Sequence, residues 1–255
     1  MDFDINIIKT DNSLDYQKEL LKEADKIIDL TDYKGLRLCS WSKILEKILD
    51  EISNKLRKLS LGVCFLGSGD FHHLSFSLIS NISVKPILLL IDYHADMYET
   101  FPDMISCGSW AMQALKEEKV KKCIVVGVDA KDPAINKFKF QDEYVTFFPI
   151  NIPKKLMIPQ VLDELSKSQD PIYISIDKDV LCKEDAATGW EQGLMDLDEL
   201  LELLLHIKKT GKVIGVDVCG EWVLPIDEIM FSIEDRYNIQ LNQRANVKIL
   251  ERMLH

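Results

Sequence analysis

The 255-residue sequence predicts a three-layer α/β/α sandwich built on a mostly parallel sheet. From residue 61 onward, short apolar runs alternate with stretches of helical periodicity, which is typical of buried parallel strands joined by crossover helices. Polar and ionisable residues follow four of these apolar runs directly. No repeat or linker rich in Pro, Gly and Ser divides the chain, so we expect one domain over residues 1–255.

The predicted elements follow from apolar periodicity. In residues 1–60, apolar residues recur at steps of three and four, which predicts helices over 13–30 and 42–59 and a helical N-terminal extension. In the core, residues 61–225, strands are predicted near 61–66, 86–91, 122–128, 144–148, 171–176 and 212–218. Helices are predicted near 71–81, 106–118, 158–168, 197–208 and 240–254, the last within a C-terminal helical segment, 226–255.

Composition excludes several classes of protein. The chain carries 31 Lys and Arg against 42 Asp and Glu, and its net charge of −11 argues against binding to nucleic acid or to an anionic membrane surface. The apolar runs are far shorter than the about 20 residues of a membrane helix, and the N-terminus lacks the pattern of a secretory signal. Six cysteines without a C-x-x-C pair indicate reduced thiols, so we expect a cytoplasmic protein.

The strongest functional signal lies at the ends of predicted strands. The four segments that follow them read GSGDFHH (67–73), DYHAD (92–96), DKD (177–179) and CGE (219–221). In open α/β sheets, the carboxyl ends of parallel strands form the ligand crevice. The sequence therefore predicts that these four segments meet in one site.

Two aspartate motifs indicate a metal centre. Asp92, His94 and Asp96 alternate along the chain, and Asp177 and Asp179 do the same, so each set can face one point. Four carboxylates brought together repel one another unless a cation lies between them. Oxygen ligands with a minority of imidazole suit an ion such as Mn²⁺, and bridging aspartates suggest two ions roughly 3.5–4 Å apart.

With their neighbouring letters, these motifs resemble the ureohydrolase family, which comprises arginases, agmatinases and formiminoglutamases. DYHAD (92–96) is similar to the family's D-A-H-x-D motif, and ISIDKDVL (174–181) to its S-x-D-x-D motif. Three further segments resemble the family more weakly. TGWEQGL (188–194) is similar to its T-G-x-x-x-x-G-L segment, and GSGDFHH (67–73) to its G-G-D-H-S loop. GVDVCGE (215–221) is similar to a late strand of the family. The resemblance spans roughly residues 61 to 225.

The resemblance implies an arginase/deacetylase-like fold and a hydrolase that holds two Mn²⁺ per chain. Its implied metal ligands are His72, Asp92, His94, Asp96, Asp177 and Asp179. The first-loop histidine is open between His72 and His73, because Phe71 is inserted after Asp70; we favour His72. A hydroxide bridging two ions held by Asp92 and Asp177 would attack the C=N carbon of a guanidino or formimino compound.

Departures from the family pattern fall around the expected substrate. Cys107 stands where the family often has a histidine, so either this thiol or His73 is expected to transfer protons. Glu221 is expected to pair with the substrate's cationic group, with Glu191 as a second candidate. Trp190 replaces a usually small residue, which predicts a remodelled pocket and a small-molecule substrate that need not be arginine.

Two other functions remain open at this point. One is a deacetylase-like amidohydrolase with a single Zn²⁺, although such a site would not need the second acidic pair, Asp96 and Asp179. The other is a non-catalytic, metal-binding regulatory relative, which Cys107 and Trp190 make credible. Asp70 is expected to cap the following helix or to orient a ligand histidine. The family commonly forms oligomers, so a homo-oligomer is among the expected partner states.

Overall fold

Ten strands are found in the parts of the chain that the computed structural model describes, residues 3–56, 62–138 and 143–255. They are β1 (Ile5–Lys9), β2 (Lys26–Asp29), β3 (Cys39–Trp41), β4 (Gly62–Phe65), β5 (Ile87–Ile91), β6 (Met104–Ser106), β7 (Lys122–Val128), β8 (Val145–Pro149), β9 (Ile172–Asp177) and β10 (Val213–Cys219). Eight of them form one sheet in the order β2-β1-β4-β10-β9-β5-β7-β8, with every pair parallel. The other two, β3 and β6, pair antiparallel outside that sheet.

Helices cover both faces of the parallel sheet. They are α1 (Lys18–Glu23), α2 (Ser42–Lys55), α3 (Leu74–Ser80), α4 (Trp110–Lys116), α5 (Pro133–Phe138), α6 (Lys154–Ser166), α7 (Leu197–Lys208) and α8 (Ile233–Leu254). In β5, Leu89 and Ile91 belong to the core shared with α6, α7 and α8. Leu88 and Leu90 belong to the core shared with α2, α3 and α4. Because successive side chains of a strand point to opposite faces, this division confirms the three-layer α/β/α sandwich.

The first part of the chain differs from the prediction. Residues 13–30, predicted as one helix, contain the short helix α1 and the strand β2, and β1 precedes them. The prediction of a helical N-terminal extension is therefore wrong, because β1 and β2 form one edge of the main sheet. In β2 only Ile28 is buried while Ile27 is 56% exposed, and so short an edge strand carries little apolar signal.

The later elements follow the prediction more closely. The six predicted strands correspond to β4, β5, β7, β8, β9 and β10, and α7 has the predicted bounds. The predicted helix over 240–254 begins earlier, at Ile233, where Ser232 and Asp235 form a reciprocal cap. Residues 57–61 lie outside the described residues, and with them the end of the predicted helix 42–59 and the start of the first core strand. Across the described ranges, none of the helices is both long enough and apolar enough to cross a membrane.

The sheet order determines where the site lies. The strands β4, β10, β9 and β5 are neighbours in the centre of the sheet, although the chain visits β5 before β9 and β10. These are the four strands whose carboxyl ends lead into the polar segments 67–73, 219–221, 177–179 and 92–96. Segments more than 100 residues apart in sequence therefore meet at the carboxyl ends of the central strands.

Candidate metal centre

Asp92 and Asp177 stand at the carboxyl ends of two neighbouring strands. Asp92 directly follows β5, and Asp177 is the last residue of β9. Each carboxylate also shapes the turn that follows it: Asp92 Oδ1 accepts the backbone N–H of His94 at 2.6 Å, and Asp177 Oδ1 accepts that of Asp179 at 2.9 Å. The backbone N–H of Tyr93 in turn donates to Asp179 Oδ1 at 3.1 Å, which links the two turns.

His72 lies against the inner side of this pair. Its Nδ1 atom is 3.1 Å from Asp96 Oδ2, 3.3 Å from Asp92 Oδ2 and 3.6 Å from Asp177 Oδ2, and all four side chains are buried. We call His72, Asp92 and Asp96 the His72 cluster, because their potential ligand atoms all lie within 4.8 Å of one another.

His94 forms a second group on the outer side. Its Nδ1 atom is 2.8 Å from Asp179 Oδ2 and 3.7 Å from Asp92 Oδ1. We call Asp92, His94 and Asp179 the His94 cluster; its ligand atoms also lie within 4.8 Å of one another. The two clusters share Asp92 and together contain five of the six sequence-predicted metal ligands. The sixth, Asp177, lies 3.6 Å from His72 Nδ1.

The charges in the two clusters perturb each other strongly. Burial, reinforced by the charge of Asp92, raises the pKa of Asp96 to about 6. Burial and the Asp177 charge likewise raise the pKa of Asp179. Burial opposes protonation of His94, but the adjacent Asp179 and Asp92 raise its pKa to about 12. Carboxylates this crowded ionise fully only beside a cation, and the donor set of carboxylate oxygens with two imidazoles fits a divalent ion such as Mn²⁺.

A chain of hydrogen bonds behind His72 fixes its ring. Its Nε2 atom lies 2.9 Å from Ser175 Oγ, which donates to Asp217 Oδ1 at 2.6 Å. Tyr173 donates to the other oxygen of Asp217, also at 2.6 Å. Such contacts orient a metal-ligating histidine and present its free nitrogen to the site. Sequence reasoning missed this chain, although Ser175 and Asp217 are polar residues within otherwise apolar strands.

His73 points away from the centre. Its ring is fully buried, with Nε2 2.9 Å from Ser40 Oγ, and His73 does not belong to the cavity lining described below. Burial and the charge of His72 lower its pKa to about 3. The prediction that His73 substitutes for a catalytic histidine is therefore wrong, because consecutive residues in a helical turn face different directions.

A cavity of about 160 Å³ opens onto both clusters. The side and main chains that line it are those of Gly69, His72, Asp92, His94, Asp96, Tyr98, Cys107, Gly108, Asp177, Asp179 and Trp190. Cys107 is thus placed beside the ligands, as predicted for a residue near the chemistry. Tyr98 was not singled out from the sequence, since it lies in an irregular segment after the D-x-H-x-D motif.

Trp190 forms one wall of this cavity and is held in place from behind. Its ring packs edge-to-face on His94 at 6.0 Å, and its indole N–H donates to Asp70 Oδ1 at 3.0 Å. The other oxygen of Asp70 accepts from Arg37 Nε at 2.7 Å. The sequence position of Asp70 suggested that it caps the following helix or orients a histidine. Instead, its carboxylate orients the indole ring of Trp190.

Neither glutamate predicted to bind substrate contacts the cavity. Glu221 is 2% exposed and forms an ion pair with the fully buried Lys178. Before it, Gly220 has φ +86° and turns the chain, and a Cβ atom there would lie 2.3 Å from Asp177 Oδ1. The prediction that Glu221 holds the substrate's cationic group is therefore wrong. Glu191 is exposed and does not belong to the part of the cavity lining that the described residues form.

The fold and the site together define a three-layer α/β/α protein with a buried group of carboxylates and histidines at the carboxyl ends of its central strands. The model of the arginase family matches residues 6–221. The chain is 31% identical over 239 residues to an uncharacterized protein of Thermotoga maritima, covering 94% of this chain and 85% of that one. It is 26% identical over 192 residues to formimidoylglutamase of Clostridium tetani, covering 68% of this chain and 56% of that one.

Solved structures share the fold over nearly the whole chain. Formimidoylglutamase of Bacillus subtilis superposes with a TM-score of 0.72 at 17% identity, covering 98% of this chain and 86% of that one. Arginase of Bacillus cereus superposes with a TM-score of 0.70 at 16% identity, covering 98% of each chain. The chain belongs to the arginase family of hydrolases, which confirms the resemblance inferred from the motifs.

Proposed function

We propose that this protein is a binuclear Mn²⁺-dependent hydrolase that cleaves a C–N bond of a small guanidino or formimino compound. The observation that carries the proposal is the pair of ligand clusters that share Asp92 at the floor of one cavity. A single-zinc amidohydrolase would have no need of Asp96 and Asp179 together. The second acidic pair therefore favours two ions over one.

The two clusters divide the ligands between two ions. His72, Asp92 and Asp96 would hold one ion and Asp92, His94 and Asp179 the other, with Asp177 beside both groups. When bound, two divalent ions supply hydroxide near neutral pH and polarise the substrate's C=N group. Their four positive charges would also offset the four aspartates, so the formal net charge would change from −11 to about −7.

Of the two residues that the sequence predicts to transfer protons, Cys107 is the one that lines the cavity, since His73 faces away from it. Burial, reinforced by the charge of Asp96, raises the pKa of the Cys107 thiol to about 12, and bound cations that offset the Asp96 charge would remove part of this increase. The thiol lines the cavity beside the ligands and can donate its proton when the C–N bond breaks. The indole of Trp190 would position the uncharged part of the substrate.

The substrate class rests on the relatives. Formimidoylglutamases, arginases and an agmatine ureohydrolase share the fold, and the first of these is also a sequence relative. With Glu221 turned away, the described residues of the cavity lining offer no carboxylate apart from the four proposed ligands. The amidine group of the substrate must then bind mainly through the metal centre and its neighbours, which is why the guanidino and formimino classes both stay in the proposal.

The direct test is a product assay on protein loaded with Mn²⁺, using a panel of guanidino, formimino and N-acyl amine compounds. Release of urea would identify a guanidino substrate, and release of formamide a formimino substrate. Release of a carboxylate from an N-acyl amine would instead support the amidohydrolase alternative. Protein that binds two Mn²⁺ but turns over none of these compounds would support a non-catalytic relative, an alternative that the displaced Glu221 favours.

We also propose that two copies of the chain associate through an apolar surface at the start of α8 and in the segment before it. This surface consists of Ile226, Ile229, Met230 and Ile233, whose exposed fractions run from 71% to 98%. Four large apolar side chains this exposed within eight residues of the chain differ from singly scattered apolar residues, and such groups are typical of protein–protein interfaces. A second copy fits best because one self-complementary patch suffices for a symmetric dimer.

Light scattering after gel filtration tests this association. The change Ile229→Asp should convert a dimer to a monomer, whereas Leu156→Asp, at a 55% exposed position on α6, should not. A monomeric unmodified chain would refute the proposed interface.

A cytoplasmic location is likewise a proposal; it is supported by all six cysteines being free thiols, as expected in a reducing compartment.

A further inference from the structure

Lys178 lies between two proposed metal ligands but points away from them. Its side chain is fully buried, and its ammonium forms an ion pair with Glu221, which is itself 2% exposed. A buried ammonium without a partner is strongly unfavourable, so this pairing constrains the backbone from which the side chain starts. That backbone is the turn that carries Asp177 on one side of Lys178 and Asp179 on the other.

Glu221 is anchored in turn by two amides from distant parts of the chain. Its Oε2 atom accepts from Gln17 Nε2 at 2.7 Å, and its Oε1 atom accepts from Asn246 Nδ2 at 2.6 Å. Asn246 also donates to Gln17 Oε1 at 2.8 Å, so the two amides hold each other. Gln17 immediately precedes α1 and Asn246 lies in α8. The network therefore ties the turn 177–179 to the helical layer of the fold.

The same turn is held from its other side by close backbone packing. Gly220 has φ +86°, and a Cβ atom there would lie 2.3 Å from Asp177 Oδ1 and 2.7 Å from the backbone nitrogen of Lys178. The neighbouring Cys219 donates from Sγ to Asp177 Oδ2 at 3.1 Å. Only glycine lets segment 219–221 approach the turn this closely. Side-chain pairing and backbone contact thus converge on one three-residue turn.

We infer that the buried Lys178–Glu221 ion pair positions Asp177 and Asp179 for divalent metal, and that Glu221 acts on the metal centre rather than on the substrate. The inference deepens the proposed function and rests on it for the presence of Mn²⁺. Outer contacts of this kind typically change metal affinity by about 10- to 100-fold. Glu221 is accordingly a positioning residue, and its loss should be seen first in metal binding.

The test compares three variants of the full chain after removal of metal. Glu221→Gln leaves Lys178 without its charged partner and replaces one of the two acceptor oxygens by an amide nitrogen, so it can keep the contact to Gln17 or to Asn246 but not both. Lys178→Met combined with Glu221→Gln removes both charges, so no unpaired buried ammonium is left to unfold the protein. The matched control is Glu164→Gln, because Glu164 is 12% exposed and pairs with Lys122 at the opposite end of the sheet. Titration calorimetry measures the affinity and stoichiometry of Mn²⁺ binding, and electron paramagnetic resonance records the Mn²⁺ spectrum. The Tm of each variant is measured with and without Mn²⁺.

We expect both Glu221 variants to bind Mn²⁺ at least about tenfold more weakly and to show an altered Mn²⁺ spectrum. The Glu164→Gln control should lower Tm but keep its Mn²⁺ affinity within about twofold of the unmodified chain. Native Mn²⁺ affinity and an unchanged spectrum in the folded double variant would overturn the inference, because the ion pair would then stabilise the fold alone. If the unmodified chain bound two Mn²⁺ but hydrolysed nothing, the proposed function would fail while the positioning role stood. If it bound no Mn²⁺, both would fail.

Discussion

His72 Nδ1 lies 3.1 Å from Asp96 Oδ2, even though Phe71 lengthens the loop before it by one residue relative to the family motif. A short 3₁₀ turn over Gly69–Phe71 absorbs the extra residue, and α3 begins just after His73. The helical path turns His72 towards the metal ligands and His73 towards Ser40. This geometry favours His72 over the adjacent His73 as the proposed metal ligand.

The change His72→Ala should remove a ligand, whereas His73→Ala should not. We expect His72→Ala to bind about one Mn²⁺ per chain, because the His94 cluster is left intact. His73→Ala should keep two, with a lower Tm from the lost packing of a buried ring. Metal analysis after dialysis measures both. The opposite result, loss of metal in His73→Ala alone, would reverse the assignment.

Cys107→Ala should slow turnover without loss of metal. If the thiol protonates the leaving nitrogen, its removal should lower kcat by about 100-fold, the lower end of the usual contribution of a general acid. Cys107→Ser keeps a proton donor at this position and should retain more of the activity. Steady-state kinetics on the substrate that the panel identifies provides the measurement. Unchanged kcat in Cys107→Ala would assign Cys107 to the cavity wall only.

Trp190 should determine how well the substrate binds. Trp190→Ala removes one wall of the cavity and should raise KM about tenfold, which corresponds to about 1.4 kcal/mol. Trp190→Phe keeps an aromatic ring but loses the hydrogen bond to Asp70, so a smaller rise is expected. Both variants should bind two Mn²⁺. A KM that did not change in Trp190→Ala would show that the substrate lies elsewhere in the cavity.

The cap of α8 gives a pH-dependent contribution to stability. Hydrogen bonds from Trp222 and Ser232 hold the pKa of Asp235 below its usual value of 3.8. A depressed carboxyl pKa stabilises the folded state above the unfolded pKa, and this contribution is lost as the pH falls through the folded pKa. Asp235→Asn should therefore lower the free energy of unfolding by about 1 kcal/mol at pH 7 and by less below about pH 4.

Chemical denaturation at several pH values measures this difference. The control is Glu234→Gln, which removes the same charge from the same helical turn at an exposed position. It should change stability far less at every pH. Equal effects of the two changes would mean that the general charge at the helix start, and not the cap, stabilises α8.

The sequence allowed the centre of the fold to be predicted but not its edge. Strands such as β5 and β9 are buried on both faces and are read as continuous apolar runs. In β1 the buried Asn6 interrupts the apolar run. The strand β2 is short, lies at the edge of the sheet and follows α1 closely, so its residues were included in the periodicity of a predicted helix. Local periodicity cannot show that β1 pairs with β4, or that β2 pairs with β1.

The sequence allowed the meeting of the proposed ligands at the strand ends to be predicted, but not the direction of Glu221. Asp92 and Asp177 occupy strand ends, whose position in a parallel sheet is set by the fold. Glu221 instead follows Gly220, and a single residue in the left-handed region redirects the side chain that comes after it. The motif gives the order of residues along the chain, whereas the direction of Glu221 depends on Lys178, Gln17 and Asn246.

The number of Mn²⁺ ions bound per chain tests the central claim most directly. Metal-free protein titrated with Mn²⁺ should bind two ions and gain thermal stability, because the cations relieve repulsion among the buried aspartates. Asp177→Ala should lose both the binding and the gain, since Asp177 lies beside both clusters. Two bound ions with a raised Tm is the result that the two-cluster geometry predicts. A single bound ion, or no change in Tm on adding Mn²⁺, would contradict a binuclear centre.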